Sequence, residues 1–228
     1  MLDVSHLPSV DQEKPIAPDV TDRLQEISAS YYGNEGGCHA QDHVERVRRT
    51  AGWIGRQMKA RLDVLDAAAL LHDIGRPMET ASQGRTCHAQ EGAAMAEKIL
   101  QELCLDRALI DAICHCIATH RFRRGNPPAS LEAMILFDAD KLDSIGAVGI
   151  GRAFLFAGQV GARLHNSEKD IHETVSYSLE DTAYREFMVK LHKVRDRMLT
   201  PAGRMIAGER HSFMELFFRQ LEREIRTG

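Results

Sequence analysis

The sequence predicts an all-α protein organised as one helical bundle. Apolar residues recur at the three- and four-residue spacing of amphipathic helices from Val20 onward. No stretch alternates apolar and polar residues for long enough to predict a strand. We therefore expect a single helical domain over 19–228, with the last two helices packed as an appendage. An N-terminal arm over 1–18, which contains three prolines, is expected to precede it.

Six helices are predicted before residue 143, most of them from an apolar stripe at helical spacing. They are expected at 20–32, 40–60, 62–72, 89–103, 106–120 and 130 to about 142. The third is strongly apolar, and Gly75 and Pro77 are expected to stop it. The sixth begins at Ser130, because the sequence Ser-Leu-Glu-Ala fits the preference of helix N-caps.

The remainder of the chain mixes glycine-rich, polar and amphipathic stretches. The stretch 143–161 is rich in glycine but apolar, which favours close helix packing over flexibility. The polar stretch 162–180 indicates an excursion or a lid. Two amphipathic helices, at 183–198 and 205–225, are expected to finish the chain.

Composition narrows the classes of function. The chain has 228 residues and a formal charge of −4, with both signs spread along it, so a long nucleic-acid partner is disfavoured. We see no signal peptide and no apolar stretch long enough to span a bilayer, so no membrane partner is expected. The five cysteines form no Cys-x-x-Cys pair and are expected to be free thiols, which predicts a soluble, cytoplasmic protein.

The adjacent residues His72 and Asp73 point to a metal site. They close an apolar run, and burying an imidazole and a carboxylate there is costly unless a cation neutralises the charge. Partners lie upstream at His43 and downstream at Asp140. Imidazole nitrogen and carboxylate oxygen are ligands that divalent transition metals accept.

Three segments carry a family resemblance. They are Asp42-His43-Val-Glu-Arg-Val, Leu71-His72-Asp73-Ile-Gly and Asp138-Ala-Asp140-Lys141-Leu-Asp143. Together they resemble the metal motifs of the HD-domain phosphohydrolase superfamily. The stretch 144–152 is similar to a small bacterial branch that includes manganese-dependent nucleotide pyrophosphohydrolases.

The resemblance implies an HD-domain-like helical bundle and a ligand set. The implied metal ligands are His43, His72, Asp73 and Asp140. Asp138 competes with Asp140 for the fourth position, and the family's motif favours Asp140. Manganese is the favoured ion, while nickel, iron, cobalt, zinc and magnesium stay open.

Two further histidines, His88 and His120, have three open interpretations. They can contact substrate phosphates, with His88 as a catalytic acid or hydrogen-bond donor. They can hold a second ion, as the corresponding histidines do in dinuclear members of the superfamily. They can also be ordinary histidines at helix ends.

Positive charge near these histidines suggests phosphate docking. Arg121 and Arg124 follow His120 closely and are candidates to bind distal phosphates, although a solvated basic loop fits equally well. Lys141 is a further candidate for a phosphate contact. It can also pair with Asp138 or Asp143.

These residues predict a metal-dependent phosphohydrolase. The chain has neither a P-loop nor a Gly-x-Ser-x-Gly motif, so we expect hydrolysis by metal-activated water, with Asp73 orienting or deprotonating that water. The leading hypothesis is hydrolysis of nucleoside triphosphates to monophosphate and pyrophosphate. The alternative is a phosphomonoesterase or a phosphodiesterase of cyclic or other nucleotides, and a non-catalytic metal-bound sensor ranks last. A homodimer stays open.

Overall fold

A computed structural model describes residues 15–32, 41–121, 126–166 and 168–227 of the chain. All regular structure in these ranges is helical, which confirms the predicted all-α class. Residues 1–14 of the predicted arm lie outside the described residues. The chain divides into two compact units, the first running to Ala139 and the second beginning at Asp140.

The helices follow one another through both units. The first unit contains α1 (Pro18–Tyr31), α2 (Gln41–Met58), α3 (Leu62–Leu71), α4 (Arg76–Ala81), α5 (His88–Glu102), α6 (Arg107–Thr119) and most of α7 (Leu131–Leu142). The second contains α8 (Gly146–Gln159), α9 (Ala183–Val189) and α10 (Pro201–Thr227). Short 3₁₀ turns lie at Ile171–Glu173, Leu191–Lys193 and Arg195–Arg197.

Helix α3 is the centre of the first unit. It packs against α1, α2 and α6, and for this reason its residues from Ala67 to Leu71 are all buried. A helix that is apolar on every side is stable only when neighbours cover it all round. Ser28 of α1 donates a hydrogen bond from Oγ to the carbonyl of Leu70 at 2.6 Å. This contact ties α1 to the end of α3.

The segment after α3 differs from the prediction. Pro77 does not simply stop a helix: it lies in the first turn of α4, which the sequence analysis did not predict. Proline suits that position because the first turn of a helix leaves its N–H groups unpaired. Helix α4 is only six residues long, too short to show an apolar stripe, and it packs against α5.

Gly75 allows the segment after α3 to approach α5 closely. A Cβ atom on Gly75 would contact the carbonyl oxygen of His88 and would lie 2.6 Å from the backbone nitrogen of Gly92. Because real side chains do not tolerate such distances, only glycine fits here without a shift of the backbone. The close approach brings the residues after α3 next to the first turn of α5.

The second unit is held by apolar helix contacts and a buried polar network. Helix α8 packs against α9 and α10, and the rings of Phe187 and Phe218 stack at 4.6 Å between centroids. The guanidinium of Arg185 donates to Thr174 Oγ1 at 2.8 Å and to Asp181 Oδ1 at 2.9 Å. This network orders part of the 162–180 excursion, whose role as a lid or an interface stays a prediction.

The predicted helix at 183–198 is wrong in its length. Helix α9 ends at Val189, and 3₁₀ turns follow it. The buried apolar residues of the stretch 183–198 keep helical spacing throughout: Phe187, Leu191, Val194 and Met198. The apolar pattern alone therefore does not reveal where the helix ends. Nδ1 of His192 lies 3.1 Å from the carbonyl oxygen of Phe187 and replaces a helical partner there.

Among the residues that the structure describes, no helix combines the length and the apolar character needed to cross a bilayer.

The close approach at Gly75 generates a stability prediction. Gly75→Ala is expected to lower the free energy of unfolding by about 1–3 kcal/mol, because the new methyl group overpacks the contact with α5. Urea denaturation of both proteins measures the difference. Gly52→Ala is the matched control, since a Cβ there would meet only Arg56 at 3.5 Å. Equal stability of Gly75→Ala and the wild-type protein would contradict the close approach.

Candidate metal centre

The first cluster consists of His43, His72 and Asp73. His43 lies in the first turn of α2, and the other two residues follow α3 directly. The Nε2 atoms of His43 and His72 are 3.3 Å apart, and they lie 3.7 and 3.6 Å from Asp73 Oδ2. All three residues are fully buried. The structure therefore brings together three of the four predicted ligands within the first unit.

The second cluster consists of His88, His120 and, again, Asp73. His88 is the first residue of α5, and His120 follows the last residue of α6. Their Nε2 atoms are 3.2 Å apart and lie 3.4 and 3.5 Å from Asp73 Oδ1. Asp73 thus offers one carboxylate oxygen to each cluster.

Three of the four cluster histidines have a ring nitrogen that faces a hydrogen-bond acceptor. Nδ1 of His72 lies 2.8 Å from the carbonyl oxygen of Ala69, and Nδ1 of His120 lies 2.6 Å from that of Ile117. Nδ1 of His88 lies 2.6 Å from Glu79 Oε2. We assign the proton to Nδ1 in each case, because carbonyl and carboxylate oxygens only accept. A neutral ring then presents an Nε2 lone pair to its cluster.

These lone pairs fit a cation. In the second cluster the Nε2 lone pairs of His88 and His120 face each other and a carboxylate oxygen of Asp73. These electron-rich atoms repel one another unless a positive charge lies between them. Adjacent atoms bound to one metal at about 2.0–2.2 Å lie about 2.8–3.1 Å apart in octahedral geometry and about 3.3–3.6 Å apart in tetrahedral geometry. The separations of 3.2–3.7 Å in the two clusters are near the tetrahedral values and slightly above the octahedral ones. Each cluster therefore offers a donor set suited to a divalent metal.

Buried charge around Asp73 is balanced by cationic and polar neighbours. Burial alone would raise the pKa of Asp73, but the positive charge of the Arg76 guanidinium helps to hold it well below its usual range. Nε of Arg76 contacts Asp73 Oδ2 directly. Burial, reinforced by the charge of Asp73, raises the pKa of Tyr32 well above its usual value. The lowered pKa of Asp73 means that its carboxylate stays ionised although it is buried.

Glu79 and Arg121 surround the outer side of His88. An Nη1 atom of Arg121 contacts Glu79 Oε1 and lies 3.1 Å from His88 Nδ1. Burial opposes ionisation of Glu79, but hydrogen bonds from Arg121 and His88 outweigh it and lower the pKa of Glu79 to about 2. Burial, together with the charge of Arg76, lowers the pKa of His88 to about 4. Near neutral pH the pair is thus an anion beside a neutral imidazole.

Comparison with known proteins identifies the family. The family model described as "HD domain" matches residues 41–145, which contain both clusters. The Bacillus subtilis protein YpgQ is 36% identical over 196 residues, covering 84% of this chain and 87% of YpgQ. The chain belongs to the HD-domain family.

Solved structures agree with this assignment. A crystal structure of Bacillus subtilis YpgQ in complex with ADP superimposes with a TM-score of 0.70 at 31% identity, covering 90% of this chain and 97% of that one. A crystal structure of an HD-superfamily hydrolase from Bacillus thuringiensis gives a TM-score of 0.72 at 25% identity, covering 92% and 98%. The resemblance inferred from the motifs is confirmed, and the protein is an HD-superfamily hydrolase with a His/Asp cluster suited to a divalent metal.

The remaining predicted residues of this HD-domain protein have separate placements. Asp140 begins the second unit, where its Oδ2 accepts a hydrogen bond from Lys141 Nζ at 2.6 Å. Asp138 is fully buried in the first unit. Arg124 lies outside the described residues. The fourth ligand and the phosphate-docking roles of Arg121, Arg124 and Lys141 stay predictions.

The sequence analysis assigned no role to Glu79 or Arg76. Both lie in α4, the helix that was not predicted. Arg76 follows Asp73 by three residues, a spacing that lets the two side chains meet across a turn. No comparable signal marks Glu79, because its partners His88 and Arg121 lie on other elements.

The shared carboxylate generates a prediction about metal stoichiometry. Asp73→Ala is expected to lose binding at both clusters, since each cluster depends on one of its oxygens. His43→Ala should lose binding at the first cluster alone, and His120→Ala at the second alone. Equilibrium dialysis against Mn²⁺ followed by elemental analysis counts the ions per chain.

The matched control is His172→Ala, which removes an exposed histidine of the second unit and should leave the count unchanged. Circular dichroism checks that each variant keeps its helices. Retention of both ions by Asp73→Ala would rule out the shared carboxylate.

Proposed function

We propose that this HD-domain protein is a metal-dependent nucleotide pyrophosphohydrolase. It hydrolyses a nucleoside triphosphate to the monophosphate and pyrophosphate. The oxygen of a water molecule bonds to the α-phosphorus, the bond from that phosphorus to the bridging oxygen breaks, and pyrophosphate leaves with the electron pair. The water's protons pass to the products or to solvent.

The observation that carries the proposal is the convergence of four imidazoles on the carboxylate of Asp73. We infer that the first cluster, completed by Asp140, and the second cluster each hold one divalent cation, with manganese favoured. Such cations supply a water of lowered pKa and polarise a phosphoryl oxygen. Asp73, which is fully buried, would offer one carboxylate oxygen to each cation.

Several of the chain's own groups have roles in substrate binding under this proposal. Arg121 and Arg124, with Lys141, dock the phosphates that leave as pyrophosphate. Arg121 is already engaged by Glu79, so its docking role requires the guanidinium to bind the anion with the nitrogens that Glu79 leaves available. The Nδ1–H form assigned to His88 favours metal binding over proton donation by Nε2.

A nucleotide is the substrate class with the best support. The related YpgQ was crystallised in complex with ADP, whose two phosphates form the anhydride type of bond that a pyrophosphohydrolase cleaves. The net charge of −4 keeps a long nucleic acid disfavoured. The described cysteines, Cys87, Cys104, Cys114 and Cys116, are all free thiols and support our proposal of a cytoplasmic enzyme.

A second candidate function has an observation of its own. The second cluster has its full set of Asp73, His88 and His120. A pair of cations suits removal of a terminal phosphate or cleavage of a phosphodiester, because two ions clamp the attacking and the leaving oxygens. A phosphomonoesterase or phosphodiesterase is therefore the alternative. The three donors that each cluster brings together argue against a sensor that has lost turnover.

The products separate the two functions. We expect the Mn²⁺-loaded protein to convert a nucleoside triphosphate to monophosphate and pyrophosphate, as followed by ³¹P NMR. Orthophosphate as the first product, or turnover of monophosphates or cyclic nucleotides alone, would favour the alternative. Absence of turnover across a panel of nucleotides would contradict both.

Turnover is expected to depend on the residues of the first cluster, one of which, Asp73, is shared with the second. His72→Ala or Asp73→Ala should abolish activity, with kcat/KM falling by more than about 1,000-fold, while circular dichroism shows largely intact helices. His172→Ala and Asp111→Ala are matched controls at exposed positions. Near-normal activity in either cluster variant would show that the chemistry does not use this site.

A further inference from the structure

We propose that Glu79 is a positioning residue that fixes the tautomer of His88 and so keeps the second cluster able to bind a cation. The inference rests on the proposed two-cation site and deepens it. It assigns a role to a side chain outside both clusters. Glu79 lies in α4, and Gly75 brings the segment before α4 against α5, where His88 begins the helix.

The contact geometry leaves His88 a choice between two partners. Nδ1 of His88 lies 2.6 Å from Glu79 Oε2 and 3.1 Å from Arg121 Nη1. A neutral imidazole cannot use the same nitrogen both as a donor to Glu79 and as an acceptor from Arg121. If Nδ1 donates, Nε2 has a lone pair for a metal. If Nδ1 accepts, Nε2 carries the proton and cannot bind one.

Glu79 decides this choice in favour of metal binding. A carboxylate only accepts hydrogen bonds, and its distance to Nδ1 is shorter than the distance from Arg121. Arg121 in turn contacts the other carboxylate oxygen of Glu79 and holds that side chain in place. Nδ1 of His88 therefore keeps its proton, and Nε2 points its lone pair toward His120 and Asp73 Oδ1.

His88 differs in this respect from two other cluster histidines, His72 and His120. His72 and His120 donate to backbone carbonyls of their own helices, and no side-chain substitution removes those acceptors. The tautomer of His88 alone among these three depends on a side chain. The second cluster should therefore be sensitive to residue 79, while the first cluster should not.

Glutamine at position 79 tests the idea with little change of shape. Its amide can turn an NH₂ group toward Nδ1, which would make Nδ1 the acceptor and move the proton to Nε2. Glu79→Gln is therefore expected to weaken Mn²⁺ binding at the second cluster by about 10–100-fold, the usual cost of losing the partner of a ligating histidine. Binding at the first cluster should change less than about twofold.

Calorimetric titration with Mn²⁺ measures the two sites. A His43→Ala background isolates the second cluster. Glu97→Gln is the matched control: Glu97 lies on α5 like His88, pairs with Arg107 at the surface, and loses the same charge. Glu79→Asp keeps a carboxylate and should retain most of the affinity. Unchanged binding at the second cluster in Glu79→Gln would overturn the positioning role.

A spectroscopic readout is independent of turnover and of bound metal. In the metal-free protein, ¹⁵N NMR of labelled histidine should report a proton on Nδ1 of His88 in the wild type and on Nε2 in Glu79→Gln. Should Glu79→Gln fail to fold, Arg121→Met provides the converse test. It removes the competing donor and should preserve the Nδ1 proton and the affinity of the second cluster.

These outcomes separate two failures. Absence of a second ion in the otherwise wild-type protein would contradict the proposed two-cation site. The other failure is that two ions bind while Glu79→Gln changes neither the tautomer of His88 nor the Mn²⁺ affinity of the second cluster. That result would contradict the positioning role and leave the proposed function standing.

Discussion

The buried carboxylate of Asp73 is the constraint on which the site depends. Its two oxygens face two separate pairs of imidazole nitrogens at 3.4–3.7 Å. Three of those rings are held with their lone pairs inward by partners on their outer sides. A buried carboxylate surrounded by imidazole lone pairs is energetically unfavourable unless cations lie between these groups. The surrounding fold has to hold this arrangement against its own repulsion.

The two clusters are built in the same way. Each takes one histidine from the first turn of a helix and one from just beyond the end of the helix packed beside it: His43 and His72 from α2 and α3, His88 and His120 from α5 and α6. The histidines at the helix ends use ring nitrogens to satisfy carbonyls of the last turn, which otherwise lack intrahelical partners. The negative end of each helix dipole also favours a nearby cation.

Much of this organisation could be predicted from the sequence. The His72-Asp73 pair at the end of an apolar helix, together with the upstream His43, predicted a metal site. An imidazole and a carboxylate are costly to bury there unless a cation neutralises the charge. The sharing of Asp73 between two histidine pairs could not be derived, since it depends on how α3, α5 and α6 pack. Helix α4 was missed because proline both ends and begins helices, and Glu79 was missed with it.

The most direct test of the account is the position of bound metal. Crystals grown with Mn²⁺ and measured at the manganese absorption edge should give two anomalous peaks on either side of Asp73. One should lie among Oδ2 and the Nε2 atoms of His43 and His72, and the other among Oδ1 and the Nε2 atoms of His88 and His120. A single peak remote from His88 and His120, or no peak near Asp73, would contradict the shared carboxylate.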